Sequence, residues 1–181
     1  MHTLSEVPLP QPGGCQCGNI RYQLRGIPLA FFICHCRECQ KQSGSAFGQS
    51  LRVHCHDLQI SGRTAEWSRD TASGAVTEAR FCPSCGTRIL HMRRGATLCH
   101  LRAGTLDDTS WLVPAAHIWA RARQPWLHPD PGAMVFDEQP DSMDAICALW
   151  QARMMPTFTW AEAEGPGPAA PAGQPRSRGD G

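Results

Sequence analysis

The sequence predicts a mainly antiparallel β domain with one helix near the C-terminus. Short apolar runs alternate with turn residues from about residue 13 to residue 137, and only one later segment repeats its apolar residues at helical spacing. Seven of the ten cysteines also fall into three tight groups with the spacings of metal ligands. Many short strands with frequent turn signals indicate a small β architecture.

Several segments have the composition of short strands. Residues 19–24 alternate apolar and polar side chains, which is the two-residue period of a half-buried strand. The other strand segments are residues 29–33, 50–60 (strand, turn and strand), 76–81, 87–92 and 97–103. Periods this short do not fix the order of the strands in a sheet.

One helix is predicted between residue 143 and Pro156. Its apolar side chains recur at helical spacing, and they are Met143, Ile146, Cys147, Leu149, Trp150 and Met154. Asp141 or Ser142 can cap its start, and Pro156 is expected to end it.

The chain is expected to divide into four segments. Residues 1–12 are polar and proline-rich and are predicted to be a flexible N-terminus. Residues 13–137 form the cysteine-containing β domain, and residues 138–160 form an extension with the helix. Residues 161–181 bury too little apolar area to offset their ordering entropy, so a disordered tail is predicted there.

Composition narrows the classes of function. The chain has 181 residues, of which 41% are hydrophobic, enough for the core of one domain. A formal net charge of +1 does not favour a nucleic-acid binder. No apolar run approaches the roughly 20 residues that cross a bilayer, and residues 1–12 lack the apolar region of a signal peptide. We therefore expect a cytoplasmic protein with no nucleic-acid or membrane partner, in which clustered cysteines are more often metal ligands than disulfides.

The clearest metal motif is the sequence C-P-S-C-G at residues 82–86. Two sulfurs at this spacing can bind one metal at Zn–S distances of about 2.3 Å. A closed zinc site needs four ligands, and Cys15 and Cys17 are the natural second pair. Such a site would be structural, because it would join residues 15–17 to residues 82–85, which lie far apart in the sequence. In small zinc domains, metal binding supplies much of the folding free energy. The alternative is that the four cysteines form two disulfides or remain ordinary thiols.

A second group places Cys34, Cys36 and Cys39 within six residues. No fourth cysteine stands beside them, and three protein ligands plus a vacant position are the usual arrangement of a catalytic zinc. The polar residues 40–44 follow directly and can line a pocket for a charged small molecule. Alternatively, His35 or another residue completes a purely structural site, although a residue adjacent to two ligands is poorly placed to bind the same ion.

The other three cysteines are predicted to be ordinary. Cys55 lies between two histidines, but on a strand its side chain would point to the opposite face, which disfavours a third metal site. Cys99 and Cys147 are predicted to be small core residues. His117 is either at the rim of a pocket or a packed, hydrogen-bonded histidine, and the second reading is preferred.

Four motifs together resemble the glutathione-dependent formaldehyde-activating enzyme (GFA) family. They are G-x-C-x-C-G at residues 13–18, C-H-C-x-x-C at 34–39, S-G-S-A-F at 43–47 and F-C-P-x-C-G-T at 81–87. Shorter similarities extend the resemblance in order to about residue 136. The combined cysteine pattern is highly specific, whereas any one of its parts is weak.

The resemblance implies a β-tent fold of short antiparallel sheets stapled by zinc, with two zinc ions per chain. By match to the family motifs, Cys15, Cys17, Cys82 and Cys85 would hold a structural zinc. Cys34, Cys36 and Cys39 would hold a catalytic zinc with an open position.

The resemblance also implies an activity. It is that of a carbon–sulfur lyase acting on glutathione-type thiol adducts of small aldehydes, as in the formation of S-hydroxymethylglutathione from glutathione and formaldehyde. The alternative is a non-enzymatic, zinc-stabilised β scaffold that binds a protein or a small thiol. Residues 138–181 do not match the core of the family.

Overall fold

The computed structural model describes residues 6–71 and 74–160. In this part of the chain the strands are β1 (Val7–Leu9), β2 (Gln11–Gly14), β3 (Arg21–Leu24), β4 (Ala30–Cys34), β5 (Gly48–His54), β6 (Leu58–Ser61), β7 (Ala65–Asp70), β8 (Val76–Phe81), β9 (Arg88–Arg93), β10 (Leu98–Leu101), β11 (Ala116–Ile118), β12 (Met134–Val135) and β13 (Phe158–Trp160). The α-helices are α1 (Arg37–Ser43) and α2 (Asp144–Met154). The predicted mainly β class with a helix near the C-terminus is confirmed.

The largest sheet has eight strands in the order β12-β11-β4-β5-β10-β9-β8-β7. Its pairs are antiparallel except at β11, which runs parallel to both β4 and β12. The register places Cys34, the last residue of β4, opposite Gly48 on one side and Ile118 on the other. The sheet thereby brings the first cysteine of the middle group against β5 and β11.

A second sheet pairs β3 with β2 and β6, in antiparallel fashion. The β2–β3 turn begins after Gly14 and contains both Cys15 and Cys17. Its close packing depends on glycine at one point: a Cβ at Gly13 would lie 2.3 Å from the ring of Tyr22 and 2.6 Å from the carbonyl oxygen of Thr105. The second sheet therefore positions the first cysteine pair.

The C-terminal extension is part of the core. Helix α2 packs against β4, and its Ile146, Trp150 and Met154 are buried. The Trp150 ring lies edge-on to Phe31 at 6.0 Å between ring centroids, and its indole N–H donates to the carbonyl oxygen of Pro28 at 3.2 Å. Beyond the helix, β13 pairs in parallel with β1 as a separate two-stranded sheet.

Several elements of the structure differ from the sequence predictions or were not predicted. Residues 6–12 are not a loose leader, because they contain β1 and the start of β2, with Val7 and Leu9 buried against the rest of the core. The segment 50–60 forms the predicted strand, turn and strand, and its two strands belong to different sheets. Strand β7 was not predicted, since its side chains are largely exposed and lack an apolar alternation. Helix α1 and strands β11, β12 and β13 were also not predicted.

The remaining predicted elements agree closely with the structure. Strand β8 has the predicted bounds, and α2 begins one residue after Met143 and ends two residues before Pro156. The Ser142 hydroxyl accepts a hydrogen bond from the Asp144 N–H at 3.0 Å. The predicted disordered tail at 161–181 lies outside the described residues. Within the described ranges, no helix combines the length and the apolar character that crossing a bilayer requires.

Replacing Trp150 with alanine tests whether the extension belongs to the core. The variant leaves a large cavity, so we expect the free energy of unfolding to fall by about 3–5 kcal/mol. Chemical denaturation measures this loss, and the exposed neighbour Gln151→Ala is the control, expected to change stability by less than about 0.5 kcal/mol. Equal, small effects in both variants would show that the extension is peripheral.

Candidate metal centres

Four cysteines from two turns converge on one point. Cys15 and Cys17 lie in the β2–β3 turn, and Cys82 and Cys85 lie in the turn between β8 and β9. Their sulfur atoms are all within 4.8 Å of one another, with 3.5 Å between Cys15 and Cys17 and 3.7 Å between Cys17 and Cys82. A tetrahedral zinc with Zn–S bonds of about 2.3 Å separates its sulfurs by about 3.8 Å. The geometry of this group therefore fits a four-thiolate zinc.

Neighbouring polar groups support negative charge on these sulfurs. The Ile20 N–H donates to Cys15 Sγ at 3.2 Å. The Thr87 hydroxyl lies 3.2 Å from Cys85 Sγ and accepts from the Gln16 N–H, so its own proton is free to point at the sulfur. This hydroxyl is the main reason that the pKa of Cys85 falls to about 6. Such outer contacts typically orient metal ligands and stabilise their thiolate form.

The second group lies where β4 ends and α1 begins. Cys34 is the last residue of β4, Cys36 is the N-cap of α1, and Cys39 is in the first turn of that helix. Their three sulfurs are within 4.8 Å of one another, and the Cys39 N–H donates to Cys36 Sγ at 3.4 Å. Among the described residues, no further Cys, His, Asp or Glu joins this group at that separation. The part of the chain that the structure describes thus offers three ligands here, one fewer than a closed tetrahedral zinc requires.

The thiols of this group differ in the direction of their pKa shifts. Hydrogen bonds from Cys34 and then Cys39 lower the pKa of Cys36 to about 2. The contact with Cys36 raises the pKa of Cys34, and its contact with Cys39 and burial add to that increase. A sulfur whose pKa is lowered by two neighbouring thiols marks a site where a divalent cation can replace protons.

Gln40 fixes the chain that carries these cysteines. Its buried side-chain amide donates to the carbonyl oxygens of His35 at 2.6 Å and of Ala122 at 2.9 Å. These bonds tie the start of α1 to the loop after β11. Gln40 is therefore a positioning residue for the cysteine group rather than part of a pocket wall.

His35 is turned away from the cysteine group and is buried. One ring nitrogen lies 2.9 Å from Nδ1 of His117, and the other nitrogen of His117 lies 3.1 Å from Asp130 Oδ2. Burial is the main cause that lowers the pKa of His35 to about 4, so the ring is neutral at pH 7. The geometry favours a packed His35 over a fourth metal ligand. The preferred reading of His117 as a packed, hydrogen-bonded histidine is confirmed, although both rings also line a cavity of 330 Å³.

The ten cysteines are all free thiols in the structure. The 3.5 Å between the sulfurs of Cys15 and Cys17 is far from the roughly 2.05 Å of a disulfide, so the disulfide alternative has no support. Cys55 lies in a short 3-10 turn instead of on a strand, and among the described residues it joins no metal-binding group. Cys99 is fully buried and Cys147 is half-buried, as small core residues are.

A family model described as glutathione-dependent formaldehyde-activating enzyme (GFA) matches residues 10–122. The chain belongs to this family. The match spans both cysteine groups. A crystal structure of a protein from Rhodobacter sphaeroides is also similar, at 16% sequence identity and a TM-score of 0.44, over 69% of this chain and 98% of that one. A search of curated proteins finds no match to the GFA-family chain.

A cavity of 890 Å³ in this GFA-family chain is lined by Cys85 of the four-cysteine group and by no cysteine of the three-cysteine group, which it approaches through Arg102. Its polar lining comes from Gln16, Gln42, Ser43, Gln49, Arg88 and Arg102. Cys85 lines one part of the cavity, and Arg102 reaches toward Cys39. The predicted contribution of residues 40–44 to a pocket is correct for Gln42 and Ser43. The sequence analysis did not predict that Arg88 and Arg102 line the cavity. The available signal was their position beside apolar strand residues, where a charged side chain is unusual.

A pair of serine substitutions separates the two metal centres. Cys82→Ser is expected to lower the unfolding midpoint sharply, because its group joins two sheets and metal binding contributes to folding. Cys36→Ser is expected to lose about one zinc per chain and keep most of the fold. Elemental analysis of reduced protein, together with denaturation, measures both effects.

Cys55→Ser is the matched control and should change neither zinc content nor the midpoint by much. Equal collapse of Cys82→Ser and Cys36→Ser would contradict a division into a structural and a reactive centre.

Proposed function

We propose that the chain is a zinc-dependent carbon–sulfur lyase acting on glutathione-type thiol adducts of small aldehydes, with S-hydroxymethylglutathione as the model substrate. The observation that carries the proposal is the group of Cys34, Cys36 and Cys39, to which the described chain adds no fourth ligand. Family membership supports glutathione and formaldehyde as the reactants. In this proposal a substrate group takes the fourth position.

The two groups have different tasks in this proposal. Cys15, Cys17, Cys82 and Cys85 hold a structural zinc that joins the two larger sheets. Cys34, Cys36 and Cys39 hold a second zinc, which when bound supplies a Lewis acid that stabilises a thiolate or polarises an oxygen. The thiolates of the chain would be ligands of the metal and are not themselves the attacking sulfur.

The reaction makes or breaks one carbon–sulfur bond. In the forming direction the sulfur of the thiol attacks the aldehyde carbon, the carbonyl electron pair moves to oxygen, and the thiol proton ends on that oxygen. The lyase direction is the reverse, and no oxidant or reductant is needed. Holding both reactants in one cavity converts a bimolecular encounter into a step with a fixed geometry, which is the main contribution that the chain can make.

The walls of the 890 Å³ cavity suit a peptide-like thiol. Its volume lies in the range of sites for small ligands, and the amides of Gln42 and Gln49 offer both donors and acceptors. The hydroxyl of Ser43 donates within the chain and offers an acceptor. These groups can orient a substrate whose own backbone carries amides. We also propose a cytoplasmic location, because a reducing compartment keeps seven ligand thiols free of disulfides.

An NMR exchange measurement tests the activity. Zinc-loaded, reduced protein is mixed with glutathione and formaldehyde, and exchange between free glutathione and S-hydroxymethylglutathione is followed. We expect exchange faster than in buffer, lost in Cys36→Ser and retained in Cys55→Ser.

No acceleration, with zinc shown to be present, would remove this substrate assignment. Binding of glutathione without faster exchange would instead favour a non-enzymatic scaffold that binds a small thiol.

A further inference from the structure

Two arginines that line the 890 Å³ cavity each carry a buried N–H group that no atom of the described chain accepts. Arg102 is only 9% exposed, yet its Nη2 has no hydrogen-bond partner. Nη1 of Arg88 is likewise buried without a partner. Both side chains line the same cavity. A buried guanidinium that leaves donors unused carries a desolvation cost, so an acceptor from outside the chain is expected.

Five of the described arginines have anionic partners. Arg21 pairs with Asp107, and the exposed Arg80 and Arg94 pair with glutamates on β7 and β8. Within the described ranges, neither Arg88 nor Arg102 has a carboxylate within ion-pair distance. The two arginines facing the cavity therefore place unneutralised positive charge in its wall.

Contacts on several sides hold these two guanidinium groups in place. The guanidinium carbon of Arg88 lies 5.5 Å from the ring centroid of Trp67 and 5.9 Å from that of Phe81, which are cation–π distances. Arg102 donates from its backbone N–H to Ile89, the residue after Arg88, at 2.8 Å, and from Nη1 to the Gln49 carbonyl oxygen at 3.1 Å. The two charges are thus neighbours, and burial and then the charge of Arg102 lower the pKa of Arg88.

Arg102 also connects the cavity to the three-cysteine group. A Cβ at Gly48 would lie 2.7 Å from Arg102 Nη1 and 3.4 Å from Cys39 Sγ, so these two atoms flank the same glycine. A zinc with three thiolates would carry a net charge of about −1, and Arg102 is placed to offset part of it. Arg88 lines the same cavity as Arg102.

We propose that Arg88, with Arg102 beside it, forms an anion subsite that holds a carboxylate of the thiol substrate. The inference rests on the proposed function and narrows it to thiols that carry a carboxylate, such as glutathione. A guanidinium with free N–H groups suits a carboxylate, which accepts two parallel hydrogen bonds from it. Thiols without a carboxylate, such as 2-mercaptoethanol, would lack this anchor.

S-Methylglutathione is the probe that isolates the subsite, because its capped sulfur cannot become a thiolate ligand. Isothermal titration of the zinc-loaded full chain compares its affinity with that of its dimethyl ester, in which both carboxylates are neutral. We expect the free acid to bind about tenfold more tightly, as losing a charge-assisted hydrogen bond predicts. In Arg88→Gln the two affinities should become nearly equal, and Arg88→Lys should restore part of the difference.

Arg93→Gln is the matched control, since Arg93 is exposed at the other end of β9 and does not line the cavity. It should keep the full preference for the acid. Zinc content and circular dichroism establish that each variant is folded. Arg102→Gln is analysed in the same way. A lower zinc content in this variant would show that the charge of Arg102 stabilises the metal-bound form of the three-cysteine group.

Two results would overturn the inference: no preference for the acid in the unaltered chain, or an unchanged preference in folded Arg88→Gln. The NMR exchange measurement on the same preparations separates this inference from the proposed function. Turnover of glutathione without a preference for the acid removes only the subsite. A preference that depends on Arg88, without turnover, removes only the lyase activity and leaves a site for anionic thiols.

Discussion

The meeting of two cysteine-containing turns is the contact on which the rest of the structure depends. Cys17 and Cys82 are 65 residues apart in sequence, yet their sulfurs are 3.7 Å apart. One turn belongs to the β2–β3–β6 sheet and the other to the eight-stranded sheet, so their junction sets how these two sheets meet. Four thiols this close are stable as thiolates only with a cation among them, which makes metal binding part of folding.

The second cysteine group differs from the first by one ligand, and the proposed chemistry follows from that difference. It sits where β4, the start of α1 and Gly48 of β5 come together, and the buried amide of Gln40 holds the segment that carries it. Arg102, which lines the neighbouring cavity, brings positive charge to a group that concentrates negative charge. Rigid strands on one side and a charged, polar cavity on the other are the arrangement expected of a preorganised site.

Sequence reasoning succeeded where the determining interactions are local. The chelating spacing of Cys82 and Cys85 and the alternation that defines β8 can be read within a few residues. It failed where a partner lies far along the chain. Residues 6–12 were predicted to be loose because prolines dominate them, but β1 is ordered by β13, roughly 150 residues later. Burial of Arg102 beside Cys39 likewise depends on sheet order, which short periodic segments do not determine.

Zinc K-edge X-ray absorption on freshly purified, reduced protein, combined with elemental analysis, tests the central claim most directly. The account predicts two zinc ions per chain with, on average, about 3.5 sulfur ligands at about 2.3 Å and about 0.5 of a lighter ligand, because the seven grouped thiols are shared between one closed and one open site. An absence of zinc, or a single ion per chain with four sulfurs, would contradict it.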